Sequence, residues 1–122
     1  MKNIPVKAKD YKKLLHKNSS PAYIFDAETF AFIEVNKAAC EMYGYSPDEF
    51  LSLTVMDLHL KENHDKVRAE NIMLNNLRVY YGNWTHKKKN GELIPVKVIR
   101  DKIIFQDKDA WFVTVKLLPV EK

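Results

Sequence analysis

Glycine is scarce: Gly44, Gly82 and Gly91 are the only three in 122 residues. A glycine-rich loop that wraps phosphate in backbone amides is therefore excluded, and no Gly-x-Ser-x-Gly elbow for a hydrolytic serine occurs. Cysteine is scarcer still. Cys40 alone allows neither an internal disulfide nor a paired-cysteine zinc site, so packing must carry the fold, as suits a reducing compartment. No run of about 18 uninterrupted apolar residues is there to span a bilayer, and the opening Met-Lys-Asn-Ile-Pro-Val-Lys-Ala-Lys-Asp lacks the apolar core of a secretion signal. The expectation is a cytoplasmic chain with no enzyme activity and no direct membrane insertion.

Net charge is also small once position is considered. Lysine and arginine number 20 against 16 aspartates and glutamates, for +4 overall. Six lysines and one aspartate fall within residues 1–20, which leaves the remainder at −1. A nearly neutral globular part offers nucleic acid no electrostatic footprint. At 46% hydrophobic, a chain of this length buries one core but not two.

Tyr11, Leu14 and Leu15 recur at i, i+3 and i+4 among Lys9, Lys12, Lys13 and Lys17, which predicts a short amphipathic helix from near Asp10 to before Ser19-Ser20-Pro21. Ala22–Asp26 and Phe30–Val35, rich in aromatic and β-branched residues, predict a hairpin turning through Ala27-Glu28-Thr29. Asn36 is placed to cap the next helix and Gly44 to end it in a left-handed conformation. Ser46-Pro47-Asp48-Glu49 spells a capping box with proline at the first helical position. Thr54-Val55-Met56-Asp57 repeats the pattern more weakly, and Asn63–Leu77 is the longest predicted helix. After Gly82 the period becomes two. Asn90-Gly91 predicts a two-residue hairpin turn because both residues tolerate positive φ. Glu92–Phe105 then resumes as strand, Gln106–Asp109 turns, and Ala110–Leu118 forms the last strand. Two strands, several helices and three strands make an α+β domain with helices packed on one face of an antiparallel sheet. The division read from this order is a flanking helix at 1–20, a domain at 21–118 and a tail at 119–122.

Phe25-Asp26 closes the first strand, Val35-Asn36-Lys37-Ala38-Ala39 opens the following helix, and Tyr43-Gly-Tyr-Ser-Pro-Asp-Glu-Phe50, Lys89-Asn-Gly-Glu92 and an apolar last strand come after them. In that order and spacing, residues 10 to 118 resemble the PAS sensor domain family. The resemblance implies a five-stranded antiparallel sheet with helices over one face. It also implies a regulatory module of a signal-transduction protein such as a histidine kinase, a cyclic-dinucleotide enzyme or a transcription regulator. Such a module binds a small molecule or cofactor and relays the result to an output domain, often with the flanking helix mediating dimerisation. Tyr11, Leu14 and Leu15 are then the candidates for a homodimer contact. The alternative is a PAS module that binds nothing small and serves in dimerisation or docking, its core filled by Trp84, Met73, Trp111 and Phe105. Many PAS domains run into their output helix through Asp-Ile-Thr, whereas here the chain reads Lys116-Leu-Leu-Pro-Val-Glu-Lys122.

Candidate pocket residues come from two elements. An ideal helix sets His64, Val67, Asn71 and Leu74 on one face, and strand alternation turns Trp84 and His86 to the same side as Val96, Val98 and Arg100. Either Trp84, His86 and Arg100 form the polar end of a small-ligand pocket, the arginine offering its fork to a carboxylate, or Trp84 fills the core while Arg100, near its strand's end, reaches water. An arginine on an apolar face needs a partner, and Asp26, Glu34 and Asp101 are the carboxylates available to it. His64-Asp65 matches the position of the haem-ligating histidine in some PAS oxygen sensors, which makes a haem-based gas sensor using His64 a third and weaker alternative, since an indole and a guanidinium crowd a planar macrocycle. Cys40, between Ala39 and Glu41, lacks the Asn-Cys-Arg-Phe-Leu-Gln setting of flavin photosensors and reads as a packed helix side chain. The Asp57–Asp65 segment is rich in metal-ligand types, but His59 and His64 are five apart and share no helix face, so it reads as a solvated loop.

Overall fold

The computed structural model describes residues 8–74 and 79–119. The last residues of the helix expected to reach Leu77, and the tail beyond Pro119, lie outside the described residues.

Helix α1 (Ala8–Lys17) leads into strands β1 (Ala22–Asp26) and β2 (Phe32–Val35). Helices α2 (Lys37–Tyr43) and α3 (Pro47–Leu51), two 3-10 turns (Val55–Leu58 and Lys61–Asn63) and helix α4 (His64–Met73) follow. Strands β3 (Val79–Lys87), β4 (Leu93–Phe105) and β5 (Lys108–Leu117) complete one five-stranded sheet in the order β2-β1-β5-β4-β3, every pair antiparallel.

The register decides which residues meet. Tyr23, Phe25, Trp111, Val113, Val115, Ile94, Val96 and Val98 face inward and are buried beneath Ala39, Tyr43, Phe50, Val55, Leu58 and Val67 from the covering helices and turns. The alternate residues Ala22, Ile24, Ile103, Phe105 and Ala110 face the opposite side, where Leu15 and Tyr11 of α1 pack on them. Helices therefore cover both faces. The core expected of Trp84, Met73, Trp111 and Phe105 needs correction. Trp111 is buried within it and Trp84 packs half-buried against it, but Phe105 belongs to the α1 side by strand parity and Met73 is 77% exposed. The proposed dimer stripe divides as well: Leu15 is fully buried and Tyr11 sits 6.4 Å from Phe112, ring to ring, so both are used within the chain, while Leu14 is 53% exposed.

Asn36 does more than cap a helix. Its Oδ1 accepts from the amides of Ala22 and Ala39 at 3.1 and 2.9 Å, and its Nδ2 donates to the carbonyls of Leu15, Asn18 and Ser20 at 3.1, 3.2 and 2.8 Å. One buried side chain thus joins the end of α1, the start of β1 and the first turn of α2. Gly44 ends α2 at φ 85, and the Ser46 capping box is complete.

Two turns differ from expectation. Positive φ falls on Gly91 but not on Asn90, and the amides of Gly91 and Lys88 donate to the carbonyls of Lys88 and Glu92, which makes a three-residue loop with a left-handed glycine last. The tight two-residue turn lies instead at Gln106-Asp107, with φ 53 and 65, joining Phe105 to Lys108. Phe30 also takes a positive φ of 67, so β2 begins two residues later than predicted, at Phe32.

Candidate functional site

The middle of β4 sets Arg100 on the inner face, opposite Tyr80 of β3 and Val113 of β5. Its guanidinium is buried, 6% exposed, with the Trp111 ring 4.2 Å away and the rings of Phe25 and Tyr80 at 5.3 and 5.6 Å. Two of the carboxylates expected as partners are engaged elsewhere, Asp26 with the amides of Glu28 and Thr29 and with Lys108, and Glu34 with Lys12 and His16. Arg100 Nη2 donates instead to Asn71 Oδ1 at 2.7 Å, and Asn71 is held in place by donating from Nδ2 to the carbonyl of Val67 one helical turn back. Glu70 acts from farther off: its carboxylate accepts from Tyr80 Oη at 3.0 Å, and Tyr80 lies beside the guanidinium. Burial lowers the pKa of Arg100 to about 10, with Tyr23, Tyr80 and Glu70 pulling the other way, so the group stays a cation at neutral pH.

The loop before α4 delivers a residue that sequence reasoning placed in solvent. Val55 N donates to Phe30 O at 2.9 Å and Phe32 N to Leu53 O at 3.2 Å, which lays the 3-10 turn along β2. Thr54 caps that turn through Met56 N, and Asp57 answers by accepting from Thr54 N, so the weaker of the two cap patterns is also complete. His59 follows the turn and points inward, 5% exposed, with its ring edge-on to Trp84 at 5.0 Å and to His86 at 4.7 Å. His86 in turn shares a hydrogen bond of 2.6 Å with Tyr43 Oη. Burial, and then the charge of His64, hold the pKa of His59 down to about 4; burial holds His86 well below its ordinary value. Both imidazoles are neutral at pH 7.

Between these groups is a cavity of about 20 Å³ lined by His59, Val67, Asn71, Trp84, His86 and Arg100, with Tyr23, Phe25, Val55, Val98 and Val113 completing its wall. Two of these lining residues carry a buried nitrogen with no hydrogen-bond partner, Arg100 Nε and His59 Nδ1. The space holds about one water molecule.

The sequence profile of the PAS domain family matches residues 20–116. The chain belongs to the PAS domain family. Solved PAS structures superpose on it closely. One is a PAS domain from a two-component sensor histidine kinase, at 19% identity and TM-score 0.74, covering 90% of this chain and 95% of that one. Others are the PAS domain of an HTR-like protein from Haloarcula marismortui, at 15% identity and TM-score 0.76, with 90% of each chain covered, and a PAS domain from Colwellia psychrerythraea, at 18% and 0.76, covering 90% and 95%. At these identities the likeness concerns the fold. No curated protein sequence matches the chain.

In this PAS domain Val67, Asn71, Trp84, His86, Val98 and Arg100 line the cavity together, as their helical and strand spacing placed them. Val96 is buried in the same core and Leu74 packs partly against it, but neither borders the cavity. His64 is displaced from the site: the chain enters α4 with its Nε2 donating to the His59 carbonyl at 3.2 Å, half-buried at the helix start. His59, five residues earlier, occupies the inward position. A haem does not fit here, since the candidate ligand points away and Arg100, Trp84 and His59 fill the volume a macrocycle needs. Cys40 stands on α2 and borders an outer groove with Val35, Gly44 and Tyr45, apart from the cavity. The signal for His59 was present in the Thr54–Asp57 cap, which ends a turn one residue before it can face inward.

Proposed function

We propose that this PAS domain is the sensory input of a cytoplasmic signalling protein, of the histidine kinase, cyclic-dinucleotide enzyme or transcription-regulator type, and that it binds a small molecule between α4 and the sheet. PAS domains are sensory modules of such proteins, and the chain is assigned that role rather than catalysis. The observation that carries the proposal is the pair of unpartnered buried nitrogens on Arg100 and His59, two residues that line one small cavity. Buried polar atoms without partners are costly, and a ligand that satisfies them recovers that cost. Binding would favour one placement of α4 over another, and α1, tied to the sheet through Asn36, would pass the change to the output domain. The proposed division keeps residues 1–20 as the relay, 21–118 as the sensor and 119–122 as the tail. Among the described residues no helix is long and apolar enough to cross a membrane.

Native mass spectrometry of freshly purified protein, set against its denatured mass, tests the proposal. A retained small molecule supports it, and an ultraviolet–visible spectrum identifies any coloured one. A bare mass favours the second reading, a docking or dimerisation module, which the small size of the cavity supports. In either reading the homodimer contact would run through the outer side of α1. Of the three residues first assigned to it, Leu14 is the one mainly exposed. Leu14→Glu should convert a dimer to a monomer in size-exclusion light scattering; an unchanged mass overturns that contact.

A further inference from the structure

The guanidinium of Arg100 presents one incomplete edge. Nε and Nη2 lie side by side and donate in parallel, the arrangement that grips both oxygens of a carboxylate. Nη2 is occupied by the neutral amide oxygen of Asn71 at 2.7 Å, whereas Nε is buried and donates to nothing, on a residue that lines the void. The flat sides are closed to a ligand by Trp111, Phe25 and Tyr80, so the open approach is along this edge. His59 Nδ1, also unpartnered, is a third donor in the tautomer that protonates it. Asp26 and Glu34 form their ion pairs with Lys108 and with Lys12 and His16, not with Arg100.

We propose that the cavity receives a small aliphatic monocarboxylate, whose two oxygens take the Nε–Nη2 edge of Arg100 as the Asn71 amide swings aside. This rests on the small-molecule reading above and names the ligand class. A carboxamide and a carboxylate are planar groups of nearly equal size, so the exchange needs little new volume at the arginine. Asn71 also lines an outer cleft of about 330 Å³, together with Ala27, Glu28, Phe30, Arg68 and Ile72. Turning that shared side chain would open the void toward the cleft. Phe30 and the exposed Ile72 give the cleft the apolar surface that suits an aliphatic tail, and Arg68 stands at its rim as a cation, paired with Asp65 at 3.0 Å. A single buried cation among neutral histidines and aromatic rings balances one negative charge; a phosphate dianion would leave the second uncompensated. A neutral ligand would leave the guanidinium charge unanswered.

The test is titration of the whole chain with sodium acetate, butyrate and hexanoate, with butyramide as the neutral isostere of butyrate and sodium chloride as the ionic control, followed by ¹H–¹⁵N NMR. Saturable shifts of the Trp84 indole and of the Asn71 side-chain amide with a carboxylate, at least about tenfold weaker with butyramide, are the expected result. Arg100→Met, which removes a buried charge and keeps an apolar side chain, should abolish the response. Asn71→Ala, which frees the edge, should tighten binding about fivefold; were Asn71 only a structural partner of Arg100, the variant would not bind better. Equal binding of butyramide and butyrate, or undiminished carboxylate binding by Arg100→Met, overturns the ligand class while leaving a small-molecule sensor intact. Silence toward all three carboxylates with a different molecule retained in the native mass also overturns only the ligand class. Silence together with a bare native mass removes both.

Discussion

Tyr43 Oη and His86 Nδ1 lie 2.6 Å apart, with both side chains at 1% exposure or less, so α2 is fastened to β3 by one buried hydrogen bond. Each is the other's means of being buried. Tyr43→Phe deletes the hydroxyl and strands the imidazole, at an expected cost of about 1–3 kcal/mol in urea denaturation. Pairing it with His86→Leu removes both polar groups and should recover part of that loss, giving a double-mutant cycle with clear coupling. Strictly additive losses would show that the two residues do not depend on each other.

Acid should weaken the fold through the same cluster. His59 titrates at about 4 in the folded protein against 6.5 when unfolded, and the pKa of His86 is lowered by burial in the same direction. Between those values the unfolded chain binds protons that the folded chain refuses. Stability is therefore complete above about pH 6.5 and falls as the pH drops toward 4, by about 3 kcal/mol for His59 alone. Thermal melting across that range checks it, and His59→Gln should flatten the slope. A variant with the parent's full pH dependence would place the acid sensitivity elsewhere.

Asn36 joins three segments, so its replacements should not behave as simple loss of a cap. Asn36→Asp keeps an acceptor for the amides of Ala22 and Ala39 but turns an anion toward the carbonyls of Leu15, Asn18 and Ser20. The expected cost is about 3 kcal/mol or more, with amide exchange in α1 rising ahead of exchange in the sheet. If Asn36→Asp left α1 as protected as before, the helix would be held by Leu15 and Tyr11 alone.

Gly82 lies under the Tyr80 ring, and a methyl group added there would run into that ring. Tyr80 carries the hydrogen bond from β3 to Glu70 of α4. Gly82→Ala should therefore lift Tyr80 off Glu70 and speed amide exchange in α4, an effect that Tyr80→Phe should reproduce at about 1 kcal/mol and that should not add in the double variant. Unaltered α4 protection in both would dismiss the bridge.

The fold was legible wherever local chemistry and global register agree. The Ser46 and Thr54 caps, Gly44 at the helix end and the alternation through Trp84, His86, Val98 and Arg100 each carry a short-range cause, and the structure places those elements where the pattern put them. Turn geometry was less legible: Asn90-Gly91 and Gln106-Asp107 exchanged roles, since the register of the long β3–β4 and β4–β5 ladders, rather than dipeptide preference, decides which turn is tight. Along the regular elements, spacing alone brought Val67, Asn71, Trp84, His86, Val98 and Arg100 to one cavity, whereas the irregular segment set His59 there unforeseen. His59 sits outside any helix, so helical spacing could not set it against Asn71, and the anchoring of the preceding turn on Phe30 and Phe32 is a contact across more than twenty residues. Arg100 found an amide because α4 brings Asn71 across the sheet, while Asp26 spends its carboxylate on the amides of Glu28 and Thr29.

Strand β4 has an uninterrupted pleat, and it presents Arg100 to the chamber and, three positions on, Ile103 to the underside where Leu15 rests. Those two stations are about 10 Å apart along one rigid ribbon. If a ligand were to tilt the guanidinium, as the sensory proposal requires, the strand itself would carry that movement to the floor of α1, as a rocker transfers movement from one arm to the other.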